Sequence, residues 1–303
     1  MNSKQEEVRG NKRWLATLFM LMSALAFSCM QFAIKKSGVG ETQPLMEQAF
    51  FRNLFCLVIA APTIIKRRLK PFGDKAAQPY LFVRSMTGFL AILCFFYASN
   101  HAAIADANVL NKLSPTIVML LSVIMLHERV TGLQCLSFLV SLIGTWIVCG
   151  PAMNSEPFAI VAALMSAVFG GIAHTFVAAL KNKAEPMVVI FHFSAFSVVC
   201  SAVGMIHNFV LPAPQQLCML VLVGVFGAVG QITLTYSFKL APASQVSIFN
   251  YSGIIWSTLI GAIFLGEPPK TETIAGGSLI AAASVIAMTS GAQYKKESCD
   301  EKQ

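Results

Sequence analysis

The chain has 303 residues, of which 56% are hydrophobic and 12% are charged, with a formal net charge of +8 and a mean hydropathy of +0.68. A soluble domain carries about 25% charged residues, so this composition excludes an ordinary soluble protein and predicts a surface that largely faces lipid. The eight cysteines show no CxxC spacing and lie mostly in apolar runs, which favours buried thiols over a disulfide framework, a metal site or a bound cofactor.

Ten apolar segments follow one another along the chain, and together they predict an all-α membrane protein. A helix needs about 20 mostly apolar residues to cross a hydrocarbon core of about 30 Å. The first segment is longer than the apolar core of a signal peptide, about 7–15 residues, so a retained membrane helix is predicted there. The predicted spans are 14–34, 45–65, 79–99, 103–126, 133–150, 158–180, 187–210, 216–238, 243–265 and 272–289.

An internal repeat divides these spans into two sets of five. The segment Tyr97–Glu128 recurs without a gap at Tyr236–Glu267, an offset of 139 residues, and seven of the 32 aligned positions are identical. We therefore predict one five-helix repeat over residues 14–150 and a second over 158–289. Because five is odd, the second repeat enters the membrane from the opposite face, an inverted arrangement that is typical of secondary transporters.

The distribution of Lys and Arg predicts the orientation of the chain. Ten spans place both ends on one side, and if that side is the cytoplasm, 17 of these residues lie inside, Arg84 among them, and three lie outside. This bias predicts cytoplasmic tails at 1–13 and 290–303 in a multi-pass protein of the plasma (inner) membrane. It also explains the net charge without a nucleic-acid partner.

Several segments carry a resemblance to a known family. The run from Asn108 to Pro115, followed by Leu126–Thr131, resembles the fourth span of the EamA family of the drug/metabolite transporter superfamily. The copy at Leu240–Ser244, followed by Leu265–Pro268, is similar to that family's ninth span, and Arg52 stands where the family usually places an arginine. The resemblance covers nearly the whole chain as two EamA units. It implies a ten-helix bundle with a central cavity that moves amino acids, other metabolites or drugs.

Lys112 is the first candidate for substrate binding. It lies near the middle of the fourth span, where a lysine costs about 2.5–3.5 kcal/mol unless it faces a wet cavity or an anion. Asn108 lies one helical turn before it and Asn111 lies beside it, so these side chains are predicted to line the same cavity. The alternative is that Lys112 pairs with a helix end or with another span.

The second repeat offers a matching polar stripe. Ser247, Asn250 and Tyr251 align with Asn108, Asn111 and Lys112, and substrate sites in such folds lie at the repeat interface. Ordinary polar contacts between helices are the alternative. Arg52 is predicted to have a structural, gating or binding role, Gln231 to line the cavity or to pack, and Glu47 to lie in water near the outer end of its span. The candidate substrate-binding residues are therefore Lys112, Asn108, Asn111, Ser247, Asn250, Tyr251, Arg52 and Gln231.

Function follows from these charges. The charged side chains deep within the predicted spans, Lys112 and Arg52, are both positive. We therefore predict a carrier that moves an organic anion or an amino-acid-like carboxylate by alternating access, without ATP. The carrier is predicted to be a monomer or a homodimer. The alternatives are a carrier of S-adenosylmethionine or another nucleoside-type solute, with Tyr251 and Trp256 stacked on the base, and a drug or metabolite efflux protein. The spacing His101–Asp106 occurs in some acyltransferases, but its position between two spans and the lack of a partner motif argue against an enzyme.

Overall fold

The computed structural model describes residues 2–37, 44–101, 110–149, 156–265 and 271–300, and every regular element in these ranges is helical. Within these ranges, seven helical segments are long and apolar enough to cross a membrane, and three shorter apolar helices accompany them. The elements are α1 (Asn2–Ser37), α2 (Leu45–Arg67), α3 (Gln78–His101), α4 (Ser114–Leu126), α5 (Gly132–Cys149), α6 (Pro157–Ala179), α7 (Pro186–Met205), α8 (Pro214–Leu240), α9 (Ala243–Val246), a 3₁₀ segment (Ser247–Tyr251), α10 (Ser252–Leu265) and α11 (Thr271–Asp300).

Local sequence explains where several helices begin and end. Pro157, Pro186 and Pro214 each open a helix, because the first helical position needs no amide donor and proline already has a helical φ. Before α5, the Thr131 hydroxyl and the Gln134 side chain each bond the other residue's backbone amide, a capping box. Helix α4 ends at His127, whose φ of 52° directs the chain into a left-handed turn.

The side chains are distributed as a membrane requires. Large apolar side chains such as Ile124, Ile143 and Val203 are more than half exposed on the outside of the bundle. Small and polar side chains are buried between helices, where short residues allow close approach and hydroxyls bond to neighbouring carbonyls. Ser23 Oγ, for example, donates to the Gly230 carbonyl at 2.8 Å, which ties α1 to α8.

The most extensive helix contacts join the first half of the chain to the second. Helix α1 packs on α8, α3 on α6, α5 on α11 and α2 on α7, while α4 contacts α9 and the 3₁₀ segment. The interior of the bundle is therefore the boundary between the two predicted repeats.

The fourth and ninth predicted spans are interrupted, which corrects the expectation of continuous helices there. Leu110 and Asn111 are helical, Lys112 and Leu113 form a turn, and α4 starts at Ser114. Pro115 lacks an amide and its ring excludes a carbonyl one turn earlier, which explains why a new helix starts at this point. In the second half, the interruption is the 3₁₀ segment between α9 and α10. The offset of 139 aligns Lys112 with Tyr251, so both interruptions occur at the same place in the repeat.

Candidate functional site

A cavity of about 150 Å³ lies inside the bundle, between helices of both halves. Its volume is below the 300–1,000 Å³ of sites for drug-sized ligands, so it suits a small metabolite. No acidic side chain of the described residues lines it. The polar lining residues are Gln31, Arg52, Arg84, Asn111, Lys112, Ser114, Ser166, His174, Gln231 and Asn250, and the aromatic ones are Phe27, Phe95, Phe96 and Phe193.

Lys112 connects the two interrupted helices. Its Nζ donates to the Asn250 carbonyl at 3.1 Å, so the cation of the first interruption meets a backbone acceptor of the second. A methyl group added at Gly253 would lie 3.1 Å from Nζ, which shows how closely the ammonium group approaches that backbone. Beside it, Asn111 Nδ2 donates to Ser166 Oγ at 3.0 Å. Thus Lys112, Asn111 and Asn250 lie together at the cavity, as the sequence predicts.

Arg52 and Arg84 form a second group of cations at the cavity. Arg52 donates to Asn53 Oδ1 at 2.7 Å and approaches Gln231 Oε1 at 3.5 Å. Arg84, on α3, is only 2% exposed, and its guanidinium carbon stands 3.9 Å from the centre of the Phe193 ring. The prediction that Arg84 is a cytoplasmic residue is wrong, because its side chain lies inside the bundle. The number of Lys and Arg residues predicted on the cytoplasmic side therefore falls from 17 to 16.

Two of the predicted site residues lie away from the cavity. Tyr251 is fully buried, its hydroxyl bonds with Thr116 Oγ1 at 2.9 Å, and its ring meets Phe138 edge-on. Ser247 is also buried and does not line the cavity. Tyr251 is thus part of the helix packing and is not among the aromatic residues that line the cavity. Asn108 lies outside the described residues.

Other polar groups are placed more deeply than the sequence indicates. Glu47 is fully buried rather than in water and accepts the Val210 amide at 3.3 Å. His174 lines the cavity, and its Nδ1 has no hydrogen-bond partner among the described residues. His192 instead bonds with Ser85 Oγ at 2.8 Å, a contact between two helices.

Glu128 joins the first half to the start of α9. Its carboxylate accepts the backbone amides of Ala243 and Ser244 at 3.0 and 2.9 Å and the Ser244 hydroxyl at 2.7 Å. The carboxylate therefore satisfies amides at a helix N-terminus that would otherwise have no acceptor. This is the anchoring role that its position at a helix end suggests. Its copy, Glu267, lies outside the described residues.

Across the described ranges, no group of three His, Cys, Asp or Glu side chains is positioned to hold a metal ion. The polar atoms at the cavity are hydrogen-bond donors and acceptors of the kind that orient an organic solute.

Comparisons with known proteins agree with this architecture. The model of the EamA-like transporter family matches residues 11–150 and 157–289. The chain is 30% identical over 270 residues to the "Pseudopaline exporter CntI" of Pseudomonas aeruginosa, covering 88% of this chain and 94% of the relative. It is 22% identical to human "Solute carrier family 35 member G1", covering 89% and 78%. One solved crystal structure superposes with a TM-score of 0.78 at 19% identity, over 90% of this chain and 96% of that chain, which shows a shared fold.

Proposed function

Since the chain belongs to the EamA-like transporter family, and is therefore a multi-pass membrane transporter, we propose that it moves an organic anion or an amino-acid-like carboxylate by alternating access. The observation that carries this proposal is the charge of the cavity. Lys112, Arg52 and Arg84 line it, and no described carboxylate does. A binding site for cationic drugs would need a buried acid to offset the charge of its ligand.

Lys112 is the proposed counter-charge for the substrate carboxylate. Asn111, Asn250, Arg52 and Gln231 offer further polar contacts around the same space. Interrupted membrane helices bring backbone groups and half-helix ends to a substrate near the midplane, and here both interruptions meet at Lys112. Asn108 remains a predicted member of this site. Ser247 and Tyr251 are assigned to the support of the interrupted helix.

We also propose ten spans in two inverted repeats, with both ends in the cytoplasm of the plasma (inner) membrane. The packing supports this arrangement, because each large contact pairs one helix from each half. In two inverted repeats, α6 is the counterpart of α1 and α8 is the counterpart of α3. The contact of α1 with α8 and the contact of α3 with α6 are then related by the symmetry of the repeats. Such halves can exchange conformations, so the cavity opens first to one side and then to the other.

Thiol labelling in intact cells tests the topology. In a background in which the native cysteines are replaced, Arg129→Cys and Lys270→Cys mark the ends of the two aligned helices. We expect an impermeant maleimide to label Lys270→Cys from outside, and Arg129→Cys only after the cells are opened. Labelling of both positions from the same side would contradict the inverted arrangement.

Counterflow in proteoliposomes tests the transport function. Proteoliposomes that contain the purified chain would be loaded, without ATP, with an amino acid, a di- or tricarboxylate or S-adenosylmethionine. Uptake and release of the same labelled compound would then be followed. We expect saturable counterflow of a carboxylate. The exporter name of the Pseudomonas relative makes outward movement the direction we propose. Counterflow of S-adenosylmethionine alone would contradict the proposal and select the nucleoside-type alternative.

A further inference from the structure

Two buried arginines share one aromatic ring at the cavity. The guanidinium carbon of Arg84 lies 3.9 Å from the centre of the Phe193 ring, and that of Arg52 lies 5.6 Å from the same centre. Arg52 also approaches the Phe27 ring at 5.9 Å. Phe193 therefore holds two like charges close together inside the bundle, an arrangement that repels unless an anion offsets it.

No such anion is present among the described side chains. Lys70 and Asp74 form an ion pair on the exposed surface, away from the cavity. Arg84 Nε is buried and has no hydrogen-bond partner in the described part of the chain. A guanidinium remains protonated in proteins, so neither arginine can relieve the repulsion by losing its proton.

The local sequence makes room for this geometry. A methyl group added at Gly88 would overlap Arg84 Nη1, so the absence of a side chain one turn along α3 allows the guanidinium to lie on Phe193. A guanidinium stacked on an aromatic ring keeps its in-plane N–H donors free to meet an oxyanion. This is how an anion site would be built from α2, α3 and α7.

We propose that Arg52 and Arg84 form an oxyanion subsite on Phe193, separate from Lys112, so that the substrate carries at least two acidic groups. This inference rests on the proposed function and sharpens it, since one carboxylate would satisfy Lys112 alone. Lys112 contacts the interrupted helices through Asn250, whereas the two arginines contact Phe193 on α7. A dianion of small size would join the two groups across a cavity of about 150 Å³.

A series of compounds with one carbon skeleton tests this proposal on the full chain. Succinate, succinamate and succinamide carry two, one and no charges at nearly equal size. Their half-saturating concentrations would be measured by counterflow in proteoliposomes and by the thermal shift of the protein in detergent. We expect succinate to bind at least about tenfold more tightly than succinamate, the scale of a charged hydrogen bond. 3-Phosphonopropionate, in a separate arm, keeps one carboxylate and replaces the other with a phosphonate, so tighter binding than succinate would identify a phosphate-type group as the second one.

Variants at Arg84 and Gly88 test whether the difference between succinate and succinamate binding arises at this subsite. We expect Arg84→Gln to bring succinate binding to the level of succinamate binding, with a clearly smaller effect on succinamate. Gly88→Ala should weaken succinate binding in the same selective way, because it displaces the guanidinium without removing its charge. Arg67→Gln, which makes the same chemical change at an exposed position, should leave the whole series as in the wild type.

The outcomes separate this inference from the proposed function. If succinate and succinamate bind equally and both exceed succinamide, the second subsite is wrong while the anion carrier stands. Preference for succinamide would contradict both. If Arg84→Gln weakens the binding of all three compounds equally, Arg84 has a structural role and the proposed subsite is wrong. The wild-type thermal shift decides the matter even if Arg84→Gln fails to fold, since the same shift from all three compounds, or none, overturns the proposal.

Discussion

The two interrupted helices share a position in the repeat but differ in chemistry. In the first half, a turn at Lys112 and Leu113 brings a cation to the cavity. In the second half, the aligned Tyr251 ends a 3₁₀ segment, is fully buried and bonds to Thr116. The aligned asparagines differ as well: Asn111 uses its side chain to reach Ser166, and Asn250 offers its carbonyl to Lys112.

This difference is what we expect if an internal repeat acquires its proposed substrate site in one copy only. The irregular backbone is kept in both halves because unwound turns release the backbone polar groups that such sites use. The cation is present at this position in one half alone, so the helices of the two halves enclose an asymmetric cavity. We propose that a structural role and a binding role are divided between the aligned residues Tyr251 and Lys112.

The largest expected effect comes from removing the charge of the first half. We expect Lys112→Gln to lower carboxylate counterflow by about 10- to 100-fold, because a charged hydrogen bond contributes about 1.5–3 kcal/mol. The amount of folded protein should be matched by size-exclusion chromatography before rates are compared. Tyr251→Phe is the control at the aligned position and should stay within about twofold of the wild type, since its ring does not line the cavity. Equal losses in both variants would contradict the division of roles.

The next effect concerns Glu128. We expect Glu128→Ala to lower the free energy of unfolding by about 1–2 kcal/mol, because the amides of Ala243 and Ser244 lose their acceptor. Hydrogen exchange would measure the protection of those two amides, and chemical unfolding in mixed micelles would measure the free energy of unfolding. Unchanged exchange in Glu128→Ala would contradict the anchoring role.

Sequence predicts the helical segments of this fold well and its side-chain environments less well. Apolar length alone locates helices close to those described, and the repeat locates Lys112 and Asn250 at one cavity. It misses Arg84 because that residue is near the start of α3, the end predicted to be cytoplasmic, where every arginine is taken to be solvated. In a helix that is apolar all round, periodicity does not distinguish the face toward lipid from the face toward a cavity.

The same limitation explains why Tyr251 and Glu47 lie in surroundings that the sequence does not indicate. Alignment of the repeats places Tyr251 where Lys112 is, but the 3₁₀ segment winds more tightly than an α-helix and rotates the side chains that follow. Glu47 is near a helix end, where sequence suggests water, yet the backbone of Val210 covers it. Both outcomes depend on tertiary contacts that no local pattern records.

A smaller effect is expected from the backbone beside Lys112. A methyl group at Gly253 would lie 3.1 Å from Lys112 Nζ, so Gly253→Ala should displace the ammonium group and lower counterflow by about 5- to 10-fold. Gly261→Ala is a matched change in the same helix, α10, at a position with no neighbouring atom within 4 Å, and should leave transport as in the wild type. Similar losses in both variants would point to helix rigidity rather than to the position of Lys112.

The smallest effect measures how firmly the second half is fixed to the first. A double-mutant cycle of Thr116→Val and Tyr251→Phe should give a coupling of about 1 kcal/mol in the free energy of unfolding, the usual size of a neutral hydrogen bond. The two singles and the double variant would be unfolded under identical micelle conditions, and counterflow would be measured in parallel. If the residues couple in stability but not in transport, Tyr251 supports the interrupted helix while Lys112 binds the substrate. Coupling in substrate affinity that matches the coupling in stability would instead return Tyr251 to the binding site, and the two halves would then share one role.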